Sequence, residues 1–140
     1  MAAARYDIAV EQGATFRFPK FQFGTLLLDD AGVPILDSNG NQQIDVGRDF
    51  TGCRFRCQIR NKQRPDSDVV LTVTSEDADG GIMADDMGNV HITVPDELTD
   101  NVWKDGFWDL KCYNPDQTED LLIEGVVTVS LAVTADVAAP

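Results

Sequence analysis

One segment of the chain has the oxygen-bearing side chains that a calcium ion prefers. Residues 37–45 place oxygen donors at the first, third and fifth positions, as an EF-hand loop does. Such a loop has glycine at its sixth position and a bidentate glutamate at its twelfth, whereas this chain has Gln42 and Arg48 there. Asn39-Gly40 between short apolar runs is instead typical of a hairpin tip. We therefore predict a turn and no metal site.

The cysteines and the single histidine have the identities that zinc binds, but their spacing differs from that of zinc sites. No C-x-x-C pair occurs in the sequence. Cys53 and Cys57 are separated by roughly 13 Å if they lie on one strand, which is too far for a disulfide. We predict that both, together with Cys112, are reduced core residues. His91 is predicted to face solvent in the middle of a strand, which is a poor position for a catalytic base.

Carboxylates and tryptophans are the remaining candidates for chemistry. The 24 acidic residues fall mostly in turns rather than beside aromatic rings that could bind a sugar. Trp108 has the same strand parity as Leu110, and Trp103 is expected to cap one end of the fold, so we predict core roles for both. With no catalytic set found, we predict that the protein is not an enzyme and has no cofactor.

An arginine stripe is the feature that folding explains least. Arg54, Arg56 and Arg60 share one face of a predicted strand in an otherwise acidic chain. They either pair with acidic residues of a neighbouring strand or form a patch that meets the acidic face of another subunit. The candidate interface residues are therefore these three arginines together with Asn39 and Asn41 at the predicted hairpin tip.

The elements that would position these residues follow a period of two. Alternating apolar residues predict strands with one buried face, among them Cys53, Phe55, Cys57 and Ile59; Val90, Ile92 and Val94; and Trp108, Leu110 and Cys112. The parity slips across Pro19-Lys20, which predicts a bulge or a bend. In the last strand Leu121, Ile123 and Val127 are predicted to face inward, with Gly125 as a bulge or close-approach glycine.

The pattern as a whole predicts an all-β protein. About seven to nine short strands, with one helical turn opening at Pro95, indicate an antiparallel Ig-like β-sandwich. We predict a single domain over residues 1–140, with an inserted hairpin at 29–49 and flexible termini at 1–4 and 135–140.

The charge of the chain excludes some partners. Its formal net charge of -13 would repel a phosphate backbone, so nucleic acid is not an expected partner. No apolar leader and no stretch of about 18 apolar residues is present, so we expect synthesis in the cytoplasm and no membrane partner.

The order of several motifs resembles a known group of proteins. Tyr-Asp-Ile-Ala-Val-Glu-Gln-Gly-Ala-Thr-Phe at 6–16 is followed by Asp-Phe-Thr-Gly at 49–52 before the strand 53–60, and Leu-Ile-Glu-Gly-Val-Val-Thr-Val occurs at 122–129. Together with the segments 81–94 and 106–113, this order is similar to that of small β-sandwich proteins of tailed bacteriophages, which are encoded among tail, baseplate, collar and fibre-attachment genes.

That resemblance implies a non-enzymatic structural protein of the virion, made in the host bacterial cytoplasm. It would act as an adaptor that joins neighbouring tail, collar, baseplate or fibre proteins, with multiple copies per particle. A capsid decoration protein and a carbohydrate-binding module are the alternatives, and the resemblance transfers no catalytic residue.

Overall fold

Twelve strands and one helical turn make up the part of the chain that the computed structural model describes, which is residues 3–64, 66–76 and 81–131. The protein is all-β with mainly antiparallel pairing, as predicted. The strand count exceeds the predicted seven to nine because the N-terminal strands are broken into pieces of two to four residues. The strands are β1 (Ala4–Arg5), β2 (Ile8–Glu11), β3 (Phe16–Arg17), β4 (Phe21–Gln22), β5 (Gly24–Leu26), β6 (Ile44–Gly47), β7 (Arg54–Arg60), β8 (Val69–Thr74), β9 (Ile82–Ala84), β10 (Asn89–Val94), β11 (Gly106–Tyr113) and β12 (Glu119–Ser130).

The helix α1 (Asp96–Thr99) is the helical turn expected after Pro95, with that proline at its N-terminal boundary. Among the described residues there is no helix long and apolar enough to cross a membrane.

The larger sheet contains the longest strands. Its order is β12-β11-β7-β8, with β1 and β2 both pairing in parallel along the free side of β12. On β7 the side chains of Phe55, Cys57 and Ile59 are buried, which confirms the predicted parity of that strand. The arginines of the same strand therefore lie on the face that is turned away from the core.

The smaller sheet is organised around β10. β3 and β4 pair with opposite ends of β10 along one side, and β9 pairs along its other side. Between Arg17 and Phe21 the chain advances four residues while the facing strand advances three, from Thr93 to Val90. This extra residue is a bulge at Pro19-Lys20, which was one of the two predicted explanations for the parity slip.

A single buried cluster takes side chains from both sheets. Phe18, which lies between β3 and β4 and donates its backbone N–H to Ile92 of β10, packs on Trp108 of the larger sheet, with 4.8 Å between the ring centroids. Phe21 also stacks on Trp108, and Phe16 makes an edge contact with Phe18. Aromatic pairs of this kind stabilise a core beyond the area that they bury.

The register of β12 shows where one prediction was wrong. The pairing with β11 shifts between Leu110 and Lys111, so that Leu122 is the extra residue of a bulge. Leu122 and Ile123 are both buried, and Leu121 moves to the outer face. The predicted inward position of Leu121 was therefore wrong, because a bulge reverses the parity of every residue on one side of it.

Gly125 is a close-approach glycine. A Cβ at this position would collide with the backbone carbonyl of Tyr6 and would crowd the indole nitrogen of Trp108. That nitrogen donates a hydrogen bond to the same Tyr6 carbonyl oxygen at 2.7 Å. The glycine thus allows the edge segment between β1 and β2 to lie directly against the larger sheet.

A two-stranded ribbon extends from the two sheets. β5 pairs with β6 in antiparallel fashion, and the chain between them adds two isolated bridges, Leu28 to Pro34 and Leu36 to Gln42. We call residues 24–47 the arm.

The predicted flexible termini are described only in part. Met1, Ala2 and residues 132–140, which include the predicted segment 135–140, lie outside the described residues. Ala4 pairs with Ile123 in β1, so this part of the predicted flexible N-terminus belongs to the larger sheet.

The packing around Gly125 gives a stability prediction. Gly125→Ala should lower the free energy of unfolding by about 1–3 kcal/mol, because the added methyl group must displace backbone rather than a flexible side chain. Urea denaturation measures the change, and Thr128→Ala, at an exposed position of the same strand, is the matched control. Equal midpoints for Gly125→Ala and the wild type would contradict the close approach.

Candidate functional site

The calcium-like segment forms a hairpin turn. The Asp37 Oδ1 atom accepts hydrogen bonds from the backbone N–H groups of Asn39 and Asn41 at 2.9 and 3.0 Å. Gly40 has a φ of 81°, in the left-handed region that favours glycine. Among the described residues, no group of three or more His, Cys, Asp or Glu side chains could hold a metal ion. The Asp37 carboxylate thus stabilises the turn through these two hydrogen bonds.

The same turn occurs at two other places. Asp29 accepts hydrogen bonds from the backbone N–H groups of Ala31 and Val33, and Asp85 does so from Met87 and Asn89. In each case a glycine with φ near 80° occupies the fourth position. This is the geometry of a hairpin loop that joins a type I turn to a left-handed residue. Two of these turns follow one another in the arm, which makes it a doubly folded ribbon.

The arm exposes an unusual amount of apolar surface. Of the thirteen large hydrophobic side chains that are exposed in the described residues, six belong to the arm: Leu26, Leu28, Val33, Ile35, Leu36 and Val46. The arm also carries four aspartates and no lysine or arginine. Asn39 and Asn41, the predicted interface residues of the hairpin, are exposed at its second turn. Apolar side chains grouped on a projecting element are typical of a protein interface.

The three arginines of β7 have different surroundings. Arg54 is exposed and forms a loose ion pair with Glu76 at 3.4 Å. Arg56 is half-buried, and its guanidinium lies 5.5 Å from the centroid of the Tyr113 ring. Arg60 is half-buried and donates hydrogen bonds to the Ser67 carbonyl oxygen and the Gln58 side chain. Pairing with a nearby carboxylate thus accounts for Arg54, whereas Arg56 and Arg60 are charged neighbours of the partly buried Asp109 on β11.

Arg56 and Arg60 line a depression of about 250 Å³ on the outer face of the larger sheet. Its lining includes five of the eleven basic residues of the chain and two acidic ones, and its apolar floor includes Phe107 and Leu121. We call this depression the basic groove. Its charged residues are Arg56, Arg60, Lys62, Arg64, Lys111, Asp109 and Glu124.

Two buried polar atoms of the residues that line the groove lack a hydrogen-bond partner among the described residues. The Oδ1 atom of Asp109 and the Nε atom of Arg56 are buried and lack a hydrogen-bond partner within the described residues. Burial raises the pKa of Asp109 above the usual value for an aspartate, although the Lys111 ammonium acts in the opposite direction. Buried polar atoms without partners are rare in folded proteins, so each of these two requires a specific explanation.

Sequence reasoning found one wall of this groove and missed the rest. The alternation in β7 placed its arginines on one face, but Lys111 and Asp109 join them only through the pairing of β11 with β7. Lys62 and Arg64 come from the loop that follows β7, where no periodicity applies. The run Val-Pro-Ile-Leu at 33–36, lying between two turn signals, could have indicated the exposed apolar arm.

The two tryptophans have opposite environments. Trp108 is buried, as predicted. Trp103 was predicted to cap the fold, but its side chain is 72% exposed, so that prediction was wrong. The short helix ends at Thr99, and the following segment turns Val102 inward instead of its neighbour. His91 is exposed on β10, as predicted.

The cysteines differ in burial more than was predicted. Cys57 and Cys112 are buried, and burial raises the pKa of both thiols, that of Cys112 to about 12. Cys53 is only half-buried, which corrects the prediction that all three are core residues. It lies just before β7, where its sulfur is 3.6 Å from the side-chain oxygen of Asn114. All three are free thiols.

Two comparisons with known proteins gave no match. No protein-family model matches the sequence, and no curated protein is significantly similar to it.

Thiol labelling tests the placement of the cysteines. In the native protein, an aromatic disulfide reagent should label Cys53 slowly and leave Cys57 and Cys112 unmodified, because a thiol reacts as an exposed thiolate. All three should react at once in denaturant. Mass spectrometry of the labelled peptides identifies each site, and rapid native labelling of Cys57 would contradict the buried face of β7.

A second prediction concerns Asp109 and pH. Because the pKa of Asp109 is raised by folding, its ionisation destabilises the native state as the pH rises above the range of an unfolded aspartate. Asp109→Asn should therefore raise the urea midpoint at pH 7 and have little effect near pH 3. Asp45→Asn, at an exposed position of the arm, controls for the lost charge. A lower midpoint for Asp109→Asn at pH 7 would show that the basic neighbours stabilise the ionised form more than burial penalises it.

Proposed function

We propose that this chain is a non-enzymatic structural protein of the virion of a tailed bacteriophage. In this role it is an adaptor that joins neighbouring tail, collar, baseplate or fibre proteins, and it is present in multiple copies per particle. Its localisation is the virion, after synthesis in the host cytoplasm. The motif order described above is what connects the chain to this group of proteins.

The observation that carries the proposal is the arm. An exposed ribbon with six large apolar side chains is energetically unfavourable in water and contributes little to the buried core. Such a surface is stabilised when it is covered by another protein. An adaptor needs projecting surfaces of this kind because it must contact more than one neighbour.

We infer that the two sheets form an Ig-like β-sandwich, a fold that is common in assembly proteins. The single buried cluster shared by both sheets and the contact between Phe18 and Trp108 support this inference.

The basic groove also supports an assembly role. In a chain with a net charge of -13, five basic side chains are gathered on one sheet face. Charge that is segregated in this way selects acidic partners and orients them as they approach. A capsid decoration protein would have the same properties, and the copy number distinguishes it: tens of copies or fewer per virion indicate the tail or collar, and hundreds indicate the capsid.

A carbohydrate-binding module is the second candidate function, and the exposure of Trp103 favours it. An exposed indole ring provides a flat apolar surface on which a sugar can stack. A glycan array that is positive for one sugar, with binding lost in Trp103→Ala, would support this function over the adaptor.

The adaptor proposal is tested by measuring how much of this protein is incorporated into phage particles. Deletion of the gene should leave DNA-filled heads that lack part of the tail or its fibres. In a complementation assay, Val33→Ser/Leu36→Ser should lower the copy number per virion, measured by quantitative mass spectrometry, because the apolar contact of the arm is lost. Both residues are exposed, so the domain should keep its thermal stability.

The matched control is Met83→Ser/Met87→Ser, which removes two exposed apolar side chains outside the arm. It should incorporate normally. Complete, infectious particles from the deletion strain, or equal incorporation of the arm variant and the control, would show that the arm does not join this protein to a virion.

A further inference from the structure

The arm and the basic groove have complementary chemistry. The arm has four aspartates, no basic residue and six exposed apolar side chains. The groove has five basic side chains around an apolar floor. We propose that the arm of one copy docks into the basic groove of a second copy, so that copies of this chain associate head to tail. This proposal rests on the assembly role proposed above and names one of the partners.

The charges of the two surfaces favour the arm as the occupant of the basic groove. Asp30 and Asp45 are exposed on the arm, and their carboxylates make no hydrogen bond or ion pair within the part of the chain that the structure describes, so they are available to a partner. Lys62 is exposed at the rim of the groove, and Arg64, close to it in the chain, forms a loose ion pair with Asp66 at 3.5 Å. An exposed pair of this length contributes little and is easily exchanged for a partner's carboxylate.

The apolar surfaces agree with the charges. The floor of the groove contains Phe107 and Leu121, and the bulge at Leu122 is what turns Leu121 outward onto this face. Leu36 and Val33 on the arm are more than half exposed. An apolar centre with a charged rim is the usual anatomy of a protein interface.

The geometry indicates a contact between copies. The residues that line the groove come from β7, β11, β12 and the loop after β7, and none belongs to the arm. The arm of the same copy therefore does not fill it within the described residues. Because the two surfaces differ, the contact is heterologous, and it produces a ring if the rotation between copies closes and an open row if it does not.

The net charge sets the conditions for this contact. Copies that each carry a charge of -13 repel at a distance, so the local attraction of arm and groove must act at short range. The contact should therefore be weak for the free chain and strong where other proteins hold the copies together, as in a particle. Self-association should be visible by analytical ultracentrifugation at the highest concentrations that solubility allows.

A charge swap tests the proposal in the full-length chain. Lys62→Glu/Arg64→Glu reverses the rim of the groove, and Asp30→Lys/Asp45→Lys reverses the arm. Each should weaken self-association by at least about tenfold, because like charges then face each other. The quadruple variant restores opposite charges with the original net charge, and it should associate as the wild type does. An equimolar mixture of the two double variants should also associate.

Lys20→Glu/Lys104→Glu is the matched control, since it reverses two exposed lysines outside the groove and changes the net charge by the same amount. It should weaken association much less than the groove variant. Unchanged circular dichroism and thermal stability establish that each variant is folded.

Three results would overturn the docking proposal: a wild type that stays monomeric at every concentration, a quadruple variant that fails to recover, or a control that weakens association as much as the groove variant does. If Val33→Ser/Leu36→Ser still lowers the copy number per virion in that case, the adaptor function stands and the arm docks on a different protein. If neither assay responds, both proposals fail.

Discussion

The contact of Trp108 with Tyr6 and Phe18 is the interaction on which the rest of the structure depends. The indole nitrogen donates to the Tyr6 carbonyl oxygen, which attaches the N-terminal edge segment to the larger sheet. The ring of the same residue packs on Phe18 and Phe21, which brings in the smaller sheet. Gly125 makes the arrangement possible, because any side chain there would occupy the space of the Tyr6 backbone. The indole N–H group and the large apolar ring of Trp108 thus join three parts of the chain.

These contacts complete the core, and two surfaces, the outer face of the larger sheet and the arm, contribute little to it. The outer face of the larger sheet gathers basic side chains over an apolar floor, and the arm extends from the body through β5 and β6. Neither arrangement helps to bury the core, and both are costly in isolation. The groove contains two buried polar atoms, of Asp109 and Arg56, that lack a hydrogen-bond partner among the described residues, and the arm exposes apolar side chains. Features that cost stability and have no role in folding are best explained by a partner, which is the basis of the proposed assembly function.

Sequence patterns predicted what depends on neighbours along the chain. The period of two placed Cys57 and Ile59 inside and the arginines of β7 outside, because alternation in a strand is a local property. The positions of Leu121 and Trp103 could not be predicted, since the first depends on a bulge opposite β11 and the second on the direction in which the chain leaves a short helix. The groove was equally hidden, because strand pairing and the following loop bring Arg60, Lys62 and Lys111 together. The sequence at Asp37 is typical both of a calcium loop and of a hairpin turn, because aspartate, asparagine and glycine serve both chelation and tight turns.

The central claim is that the arm is covered by a neighbouring protein in the assembled particle. A photo-crosslinking amino acid in place of Leu36, at the exposed apolar part of the arm, tests this directly, with the same amino acid in place of Met83 as the reference for an exposed site elsewhere. After irradiation of purified particles, we expect position 36 to be joined to another polypeptide chain and position 83 to be joined far less. If the partner is a second copy, mass spectrometry should find the crosslink in the peptides that contain Lys62 or Leu121. An arm that remains free of crosslinks in intact particles that contain the protein would contradict the account.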